Sequence, residues 1–296
     1  MKTNELLRAV RLQVWNWPAV INFTMSGTAA GFYLINLFFG ELTAQMKNPA
    51  YVTIYKLTAP LLVSIGFLVL IFEAGRPLNG KYLFNKLKSS WMSREVLSGI
   101  AFICFTLTEF ILPSPVIKAF AAAAAVGLLF SQGFMVFRCY AVIAWNEPIM
   151  PIHFLVSGVC LGFGLILLWA SSFPLHLSII ILLIGFIFLI FDAVLCMVYW
   201  RKNLSKALQK GTRSPAQHLS QKIITGLGRF IPAVFLLLLI IEVEVNFHFR
   251  SAYILCLFVG VVIIFGNVYQ KYALMMKANY LRKVESGQIK LDALRT

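Results

Sequence analysis

The chain has 296 residues, of which 60% are hydrophobic and only 12% charged, and its mean hydropathy is +0.83. This composition leaves little room for a soluble domain and indicates a protein that resides in the membrane. The formal net charge of +15 could suggest nucleic-acid binding. However, the basic residues lie at the ends of apolar segments, which favours anchoring at the membrane surface, contact with anionic lipids or an acidic partner, and excludes nucleic acid.

Eight apolar runs are predicted to cross the membrane as helices, because each offers about 20 apolar residues. We expect an all-α integral membrane protein with one domain, 1–296, built as two four-helix bundles. Helices 1–4 cover about 17–145, helices 5–8 cover about 152–276, and a charged tail occupies 279–296. The predicted spans are 17–39, 55–73, 95–112, 116–145, 152–172, 176–200, 227–245 and 251–276.

The positive charge is distributed unevenly between the two ends of these spans. Of the 26 Lys and Arg residues, 21 lie before the first span, between spans 2 and 3, between spans 6 and 7, or from Lys271 onward. Because cytoplasmic loops are enriched in Lys and Arg, both termini are predicted to be cytoplasmic, in the inner membrane of a prokaryote. Arg138 is the one basic residue predicted inside a span. Those at the opposite ends are Lys47, Lys56, Lys118 and Arg250.

The connection after the second span carries the first chemical signal. Glu73 ends helix 2 and Glu95 begins helix 3, with a basic, turn-rich segment between them that contains Trp91. Two carboxylates and an aromatic ring at the mouth of a bundle can bind a quinone headgroup, whose quinol form must pass protons to an acceptor. Alternatively, Glu95 is a first-turn acid stabilised by the helix dipole and Glu73 an exposed interfacial residue.

Two further charges are predicted within the membrane. Arg138 lies seven residues before Trp145 and Asp192 eight residues before Trp200, which places them about 10 and 12 Å deep at the helical rise. Burying either charge alone is costly, so we expect an ion pair between them. Its role is either structural or in proton movement.

The cysteine and histidine positions argue against a cofactor bound within this polypeptide. The five cysteines lie within predicted spans without a CxxC pair, so neither an iron–sulfur cluster nor a zinc ion is expected. No two histidines lie well inside the membrane, so an integral haem is not expected either. The cysteines are Cys104, Cys139, Cys160, Cys196 and Cys256.

Three stretches resemble the NrfD-like family of eight-helix, quinone-reactive subunits, which anchor polysulfide, dimethyl sulfoxide and related molybdopterin enzymes in the membrane. The most specific is FEAGRPLNGKYLFNKLKSSWMSREVLSG (Phe72–Gly99), with its GRP followed by S-W-M-S and a carboxylate. The others are WNWPAVINFTMSGTAAGFYL (Trp15–Leu34) and RCYAVIAWNEPIMPIHFLVSGVCLG (Arg138–Gly162). Helices 6–8 match only in number and hydrophobicity.

The resemblance implies a quinone-binding subunit without a cofactor of its own. Its quinone would be menaquinone or ubiquinone, and its partners a ferredoxin-like iron–sulfur subunit and a molybdenum- or tungsten-pterin catalytic subunit. Glu95 matches the family's quinol-binding carboxylate, and Glu73 stands where a relative has histidine. With these two as the proton-handling residues, the expected quinone contacts are Trp15, Asn22, Arg76, Trp91 and Tyr140.

Two other interpretations of the sequence remain open. One is a transporter or ion-translocating protein built around Arg138 and Asp192, although inverted repeats and broken central helices are not evident. The other is a purely structural anchor without a quinone site. The identity of the subunits that co-purify distinguishes all three.

Overall fold

Eight helices make up the computed structural model, which describes residues 15–38, 46, 48–73, 87–142, 144–173, 177–209, 224, 226–244 and 249–277, with backbone only at 38, 73, 203–209 and 249–251. Every regular element in these ranges is helical. A π-helical turn, Gly226–Phe230, leads into α7, and a second, Ala273–Lys277, follows α8. The helices are α1 Trp17–Phe38, α2 Pro49–Glu73, α3 Trp91–Ile111, α4 Pro115–Phe137, α5 Met150–Ser172, α6 Ile179–Gln209, α7 Ile231–Glu244 and α8 Phe249–Tyr272.

Six of these helices are long and apolar enough to cross a membrane: α2, α4, α5, α6, and α7 and α8 with their π turns. The other two, α1 and α3, have 22 and 21 residues, which is also long enough to span the hydrocarbon core. Their polar residues lower the hydropathy, and several of these, including Asn22, Ser26 and Glu95, are buried inside the protein.

Local capping explains why several helices begin or end away from the predicted bounds. The predicted start of α2 at 55 is too late, because Asn48 Oδ1 accepts a hydrogen bond from the Ala50 amide at 2.9 Å and Pro49 occupies the first turn. Ser90 caps α3. The predicted end of α4 at 145 is also wrong, because the helix ends at Phe137 and turns follow.

The centre of the fold is the crossing of α1 and α5. A Cβ atom on Gly31 would lie 1.9 Å from the carbonyl oxygen of Gly158, and one on Gly162 would lie 2.0 Å from the amide nitrogen of Phe32. Only glycine permits this approach, as is common where membrane helices cross. Because α1 also packs on α2 and α4, and α5 on α6 and α8, the two predicted groups of four helices are joined through this pair.

Candidate functional site

Glu95 lies on the second turn of α3, about 6 Å along the axis from the start of that helix, and is completely buried. Its Oε1 atom accepts two hydrogen bonds. Asn22 Nδ2 of α1 donates one at 2.8 Å, and Gln132 Nε2 of α4 donates the other at 3.1 Å. Three helices therefore converge on one carboxylate oxygen.

The second oxygen of Glu95 has a different environment. Glu95 Oε2 is buried without a hydrogen-bond partner among the described residues, and the same holds for Gln132 Oε1 and Ser93 Oγ. Buried polar groups without partners are rare and costly in proteins. These three atoms therefore have unused hydrogen-bonding capacity in the part of the protein that the structure describes.

Asn22 is itself held in place by its neighbours. Ser26, one turn further along α1, donates a hydrogen bond from Oγ to Asn22 Oδ1 at 3.1 Å. The backbone of α2 comes close at Gly66, where a Cβ atom would lie 2.9 Å from Asn22 Oδ1. With its carbonyl oxygen engaged, the amide nitrogen of Asn22 points to Glu95.

Trp91 occupies the same face of α3 as Glu95, one turn earlier. Its indole ring stacks on Phe134 of α4, with ring centroids 4.3 Å apart, and the Arg94 guanidinium lies 4.1 Å from the Trp91 ring. Arg94 also donates hydrogen bonds to the carbonyl oxygens of Leu87 and Lys88, at 2.9 and 2.7 Å. This aromatic stack and these bonds fix the backbone at the start of α3.

The other predicted quinone contacts are less closely grouped. Trp15 stacks on Trp145, with centroids 5.0 Å apart, and contacts Phe23 edge to face. The exposed Tyr140 accepts a hydrogen bond from Arg138 Nη1 at 2.8 Å. The structure thus brings Asn22 and Gln132 to Glu95 but pairs Trp15 and Tyr140 with other residues.

Two predicted site residues have side chains that the structure does not describe. Glu73 is the last residue of α2, and its side chain is not among the described ones; Arg76 lies in 74–86, which is also outside the described residues. Their expected roles stay predictions.

The predicted ion pair between Arg138 and Asp192 is wrong. Arg138 caps the C-terminus of α4 and bonds to Tyr140, whereas Asp192 pairs with Arg229 of the π turn before α7. Arg229 Nε donates to Asp192 Oδ2 at 3.0 Å, and both side chains are buried. Arg138 was predicted about 10 Å inside a helix that continues to 145, but α4 ends at Phe137, so Arg138 lies exposed at its end.

Close contact between the α7 π turn and α8 allows Arg229 to reach its partners. A Cβ atom on Gly266 would lie 2.3 Å from Gly228 Cα, so both positions require glycine. Arg229 consequently donates to the Gly266 carbonyl oxygen at 3.2 Å and to Asn267 Oδ1 at 3.3 Å, and it also bonds Gln270 Oε1.

Further polar residues extend this network to α5. His153 Nε2 lies 3.4 Å from Asp192 Oδ1, and the Gln270 amide nitrogen contacts the His153 ring. Lys271 is buried nearby and donates a hydrogen bond to Ser157 Oγ at 2.8 Å. The network therefore holds one carboxylate, two basic side chains and one histidine.

The prediction from sequence missed several of these residues. Arg229 lies inside the predicted seventh span, 227–245, so the sequence did indicate a second basic residue within the membrane. It was instead counted with the basic loop that precedes this span. Gln132, which was not among the predicted site residues, contacts Glu95. In the described ranges, no group of three His, Cys, Asp or Glu residues could hold a metal ion.

These features define a multi-pass helical membrane protein with two separate buried polar sites. More particularly, the chain belongs to the family of DMSO reductase anchor subunits (DmsC), whose model matches residues 12–274. It is similar to the C subunit of polysulfide reductase from Wolinella succinogenes, with 27% identity over 176 residues that cover 50% of this chain and 56% of that protein. The chain spans about half the length of this curated relative.

These matches confirm the predicted resemblance to membrane anchor subunits of reductase complexes, and the NrfD-like family is a close relative of the family found.

Proposed function

We propose that this protein is the quinone-reactive membrane anchor of a multisubunit molybdopterin (molybdenum or tungsten) iron–sulfur oxidoreductase in an anaerobic respiratory chain. Membership of the DMSO reductase anchor family supports the anchor role. The single observation that carries the quinone site is the buried Glu95, with one oxygen held by two amides and the other without a partner among the described side chains.

The residues around Glu95 fit a quinol headgroup. A quinol presents two hydroxyl donors on a flat ring. Glu95 Oε2 and Gln132 Oε1 are buried acceptors without described partners, so each can accept from such a hydroxyl. Trp91 and Phe134 contribute aromatic surface at the same end of α3 and α4. Menaquinone and ubiquinone both supply this headgroup chemistry.

The different hydrogen bonding of the two Glu95 oxygens suggests how the site transfers protons. When bound, quinol supplies two electrons and two protons, and the electrons pass to the iron–sulfur partner. Asn22 and Gln132 hold Oε1 and thereby fix the direction of Oε2, which acts as the general base for one proton; the second proton passes to water at the membrane surface. In quinone reduction the same oxygen returns the proton.

The partner subunits would dock beside this site. The loop between α2 and α3 is basic in sequence, with Arg76, Lys81, Lys86 and Lys88, and an acidic iron–sulfur protein would be attracted to it. The positive-inside rule places this loop, both termini and the partners on the cytoplasmic side of a prokaryotic inner membrane.

Replacing Glu95 tests the proposal. Glu95→Gln preserves shape and removes the proton acceptor, so quinol-linked turnover of the purified complex should fall by roughly 10²-fold or more. Turnover with a soluble artificial electron donor, which bypasses the quinone, should not change. Glu244→Gln, at the exposed end of α7, is the matched control. Unchanged quinol oxidation in Glu95→Gln would remove Glu95 from the mechanism.

The charged network around Asp192 favours a second function, proton movement through α5–α8. Charged residues within a membrane frequently belong to proton relays, and His153 also borders a small cavity of about 10 Å³ with Tyr199 and Gln270. Asp192→Asn in reconstituted vesicles tests this function. Loss of proton uptake with retained quinol turnover supports proton movement through this network. If proton uptake, quinol turnover and protein stability all decrease together, the network has a structural role.

A further inference from the structure

A cavity of about 180 Å³ lies at the end of the first four helices opposite Glu95. It is formed by the last turns of α1 and α3 and the first turns of α2 and α4. Glu109 of its wall is 14 residues beyond Glu95 on α3, which corresponds to about 21 Å. The cavity is therefore separate from the proposed quinone site.

Part of the cavity wall is polar and is organised by hydrogen bonds. Tyr33 of α1 donates from its hydroxyl to Glu109 Oε2 of α3 at 2.5 Å, and the hydroxyl of Tyr55 on α2 donates to Asn36 Oδ1 on α1. These two pairs connect three helices and hold hydroxyl and amide groups in the cavity wall.

Two lysines border the same cavity. Lys56 of α2 and Lys118 of α4 are exposed, and neither is within ion-pair distance of an acidic side chain in the part of the protein that the structure describes. With Glu109 as the one described acid in its wall, the cavity has a formal charge of +1 from two lysines and one carboxylate. These two lysines are among the four basic residues that depart from the charge asymmetry of the sequence, and the fold brings them together.

We propose that this cavity binds the phosphate headgroup of an anionic membrane phospholipid. Lys56 and Lys118 attract the phosphate. The hydroxyl oxygens of Tyr33 and Tyr55, whose protons are donated to Glu109 and Asn36, can each accept a hydrogen bond from a headgroup hydroxyl. Phe110 and Pro113 belong to the apolar part of the lining. Next to them, Ile111 is 74% exposed, Leu112 63% and Val116 60%, so acyl chains can continue along this surface. An inorganic phosphate ion would gain nothing from these apolar groups.

Native mass spectrometry of the full-length protein, titrated with phosphatidylglycerol in a mild detergent, measures this binding. A basic residue near a membrane surface contributes enough attraction to change affinity about fivefold. Lys56→Gln and Lys118→Gln should each weaken phosphatidylglycerol binding by about that factor, and the double variant by roughly 25-fold. Glu244→Gln, at an exposed position that does not line the cavity, should not weaken the binding.

The unmodified protein provides a second readout that does not depend on variants folding correctly. It should prefer phosphatidylglycerol over the zwitterionic phosphatidylcholine by about fivefold or more, and excess inorganic phosphate should not displace the lipid. Equal affinity for the two lipids, or unchanged binding in a folded double variant, would overturn the proposal. Displacement by inorganic phosphate would assign the cavity to a free anion and overturn the lipid assignment.

Discussion

The two oxygens of Glu95 differ because two helices supply amide donors to only one of them. Asn22 and Gln132 both donate to Oε1, and Oε2 is buried without a described partner. A hydrogen bond to a charged group contributes about 1.5–3 kcal/mol, so each amide constrains the carboxylate strongly. Gln132 is therefore a positioning residue for the proposed proton acceptor.

The role of Gln132 can be tested by a substitution of similar shape. Gln132→Met removes the Nε2 donor and retains much of the volume, so quinol-linked turnover should fall roughly tenfold or more. Turnover with a donor that bypasses the quinone should be unaffected. Full quinol activity in Gln132→Met would show that Asn22 alone is sufficient to orient Glu95.

The buried pair of Asp192 and Arg229 gives a stability prediction at the same scale. Asp192→Ala strands the Arg229 guanidinium and should lower the free energy of unfolding by about 3–5 kcal/mol. Replacing both residues with apolar ones should cost less than the sum of the single changes. Equilibrium unfolding of the four variants in detergent measures this non-additivity.

Arg138 provides the matched control for this cycle. It pairs with the exposed Tyr140 at the end of α4, and such exposed interactions contribute at most about 1 kcal/mol. Arg138→Leu should therefore be close to the unmodified protein in stability. Strictly additive effects of the Asp192 and Arg229 substitutions would contradict the pairing.

At the scale of helices, the contact of α1 with α5 depends on small residues. Gly162→Val places side-chain atoms where the α1 backbone lies, since even a Cβ atom would be 2.0 Å from the Phe32 nitrogen. Overpacking of this kind typically costs about 1–3 kcal/mol, and a clash with backbone should cost about 3 kcal/mol or more. The loss should appear as a lower unfolding midpoint or a failure to accumulate in the membrane.

Gly226 is the appropriate comparison for this substitution. Among the residues that the structure describes, nothing lies within 4 Å of a Cβ atom built at that position, so Gly226→Ala should have little effect. If Gly162→Val and Gly226→Ala were equally stable, close packing would not explain the glycines of the central crossing.

Hydropathy and charge were enough to predict the helices, but not all of their ends. The apolar runs located eight helices because apolar length determines what can span a bilayer. The polar continuation of α6 from Arg201 to Gln209 was missed, because hydropathy falls there while helix propensity does not. Asn22 and Glu95 were both expected at the quinone site, but their direct hydrogen bond was not predicted. Arg229 was misassigned because its orientation depends on the π turn and on the approach of Gly228 to Gly266.

For the whole molecule, the distribution of charge predicts sidedness. Cytoplasmic loops are enriched in basic residues, so reporter fusions after Leu87 should be active only as cytoplasmic reporters. A fusion after Leu112, in the turn between α3 and α4, should report the opposite side. An external location for the Leu87 fusion would reject the proposed topology and move the docking face of the partner subunits.

The most direct test of the central claim is photolabelling of the purified complex with a photoreactive quinone analogue, followed by peptide mapping. The Glu95 site predicts labelled peptides from the start of α3, from α1 around Asn22 and from α4 around Gln132. Excess natural quinol should suppress this labelling, and Glu95→Gln should weaken it. Labelling confined to α5–α8, or unchanged by both the competitor and the substitution, would contradict a quinone site at Glu95.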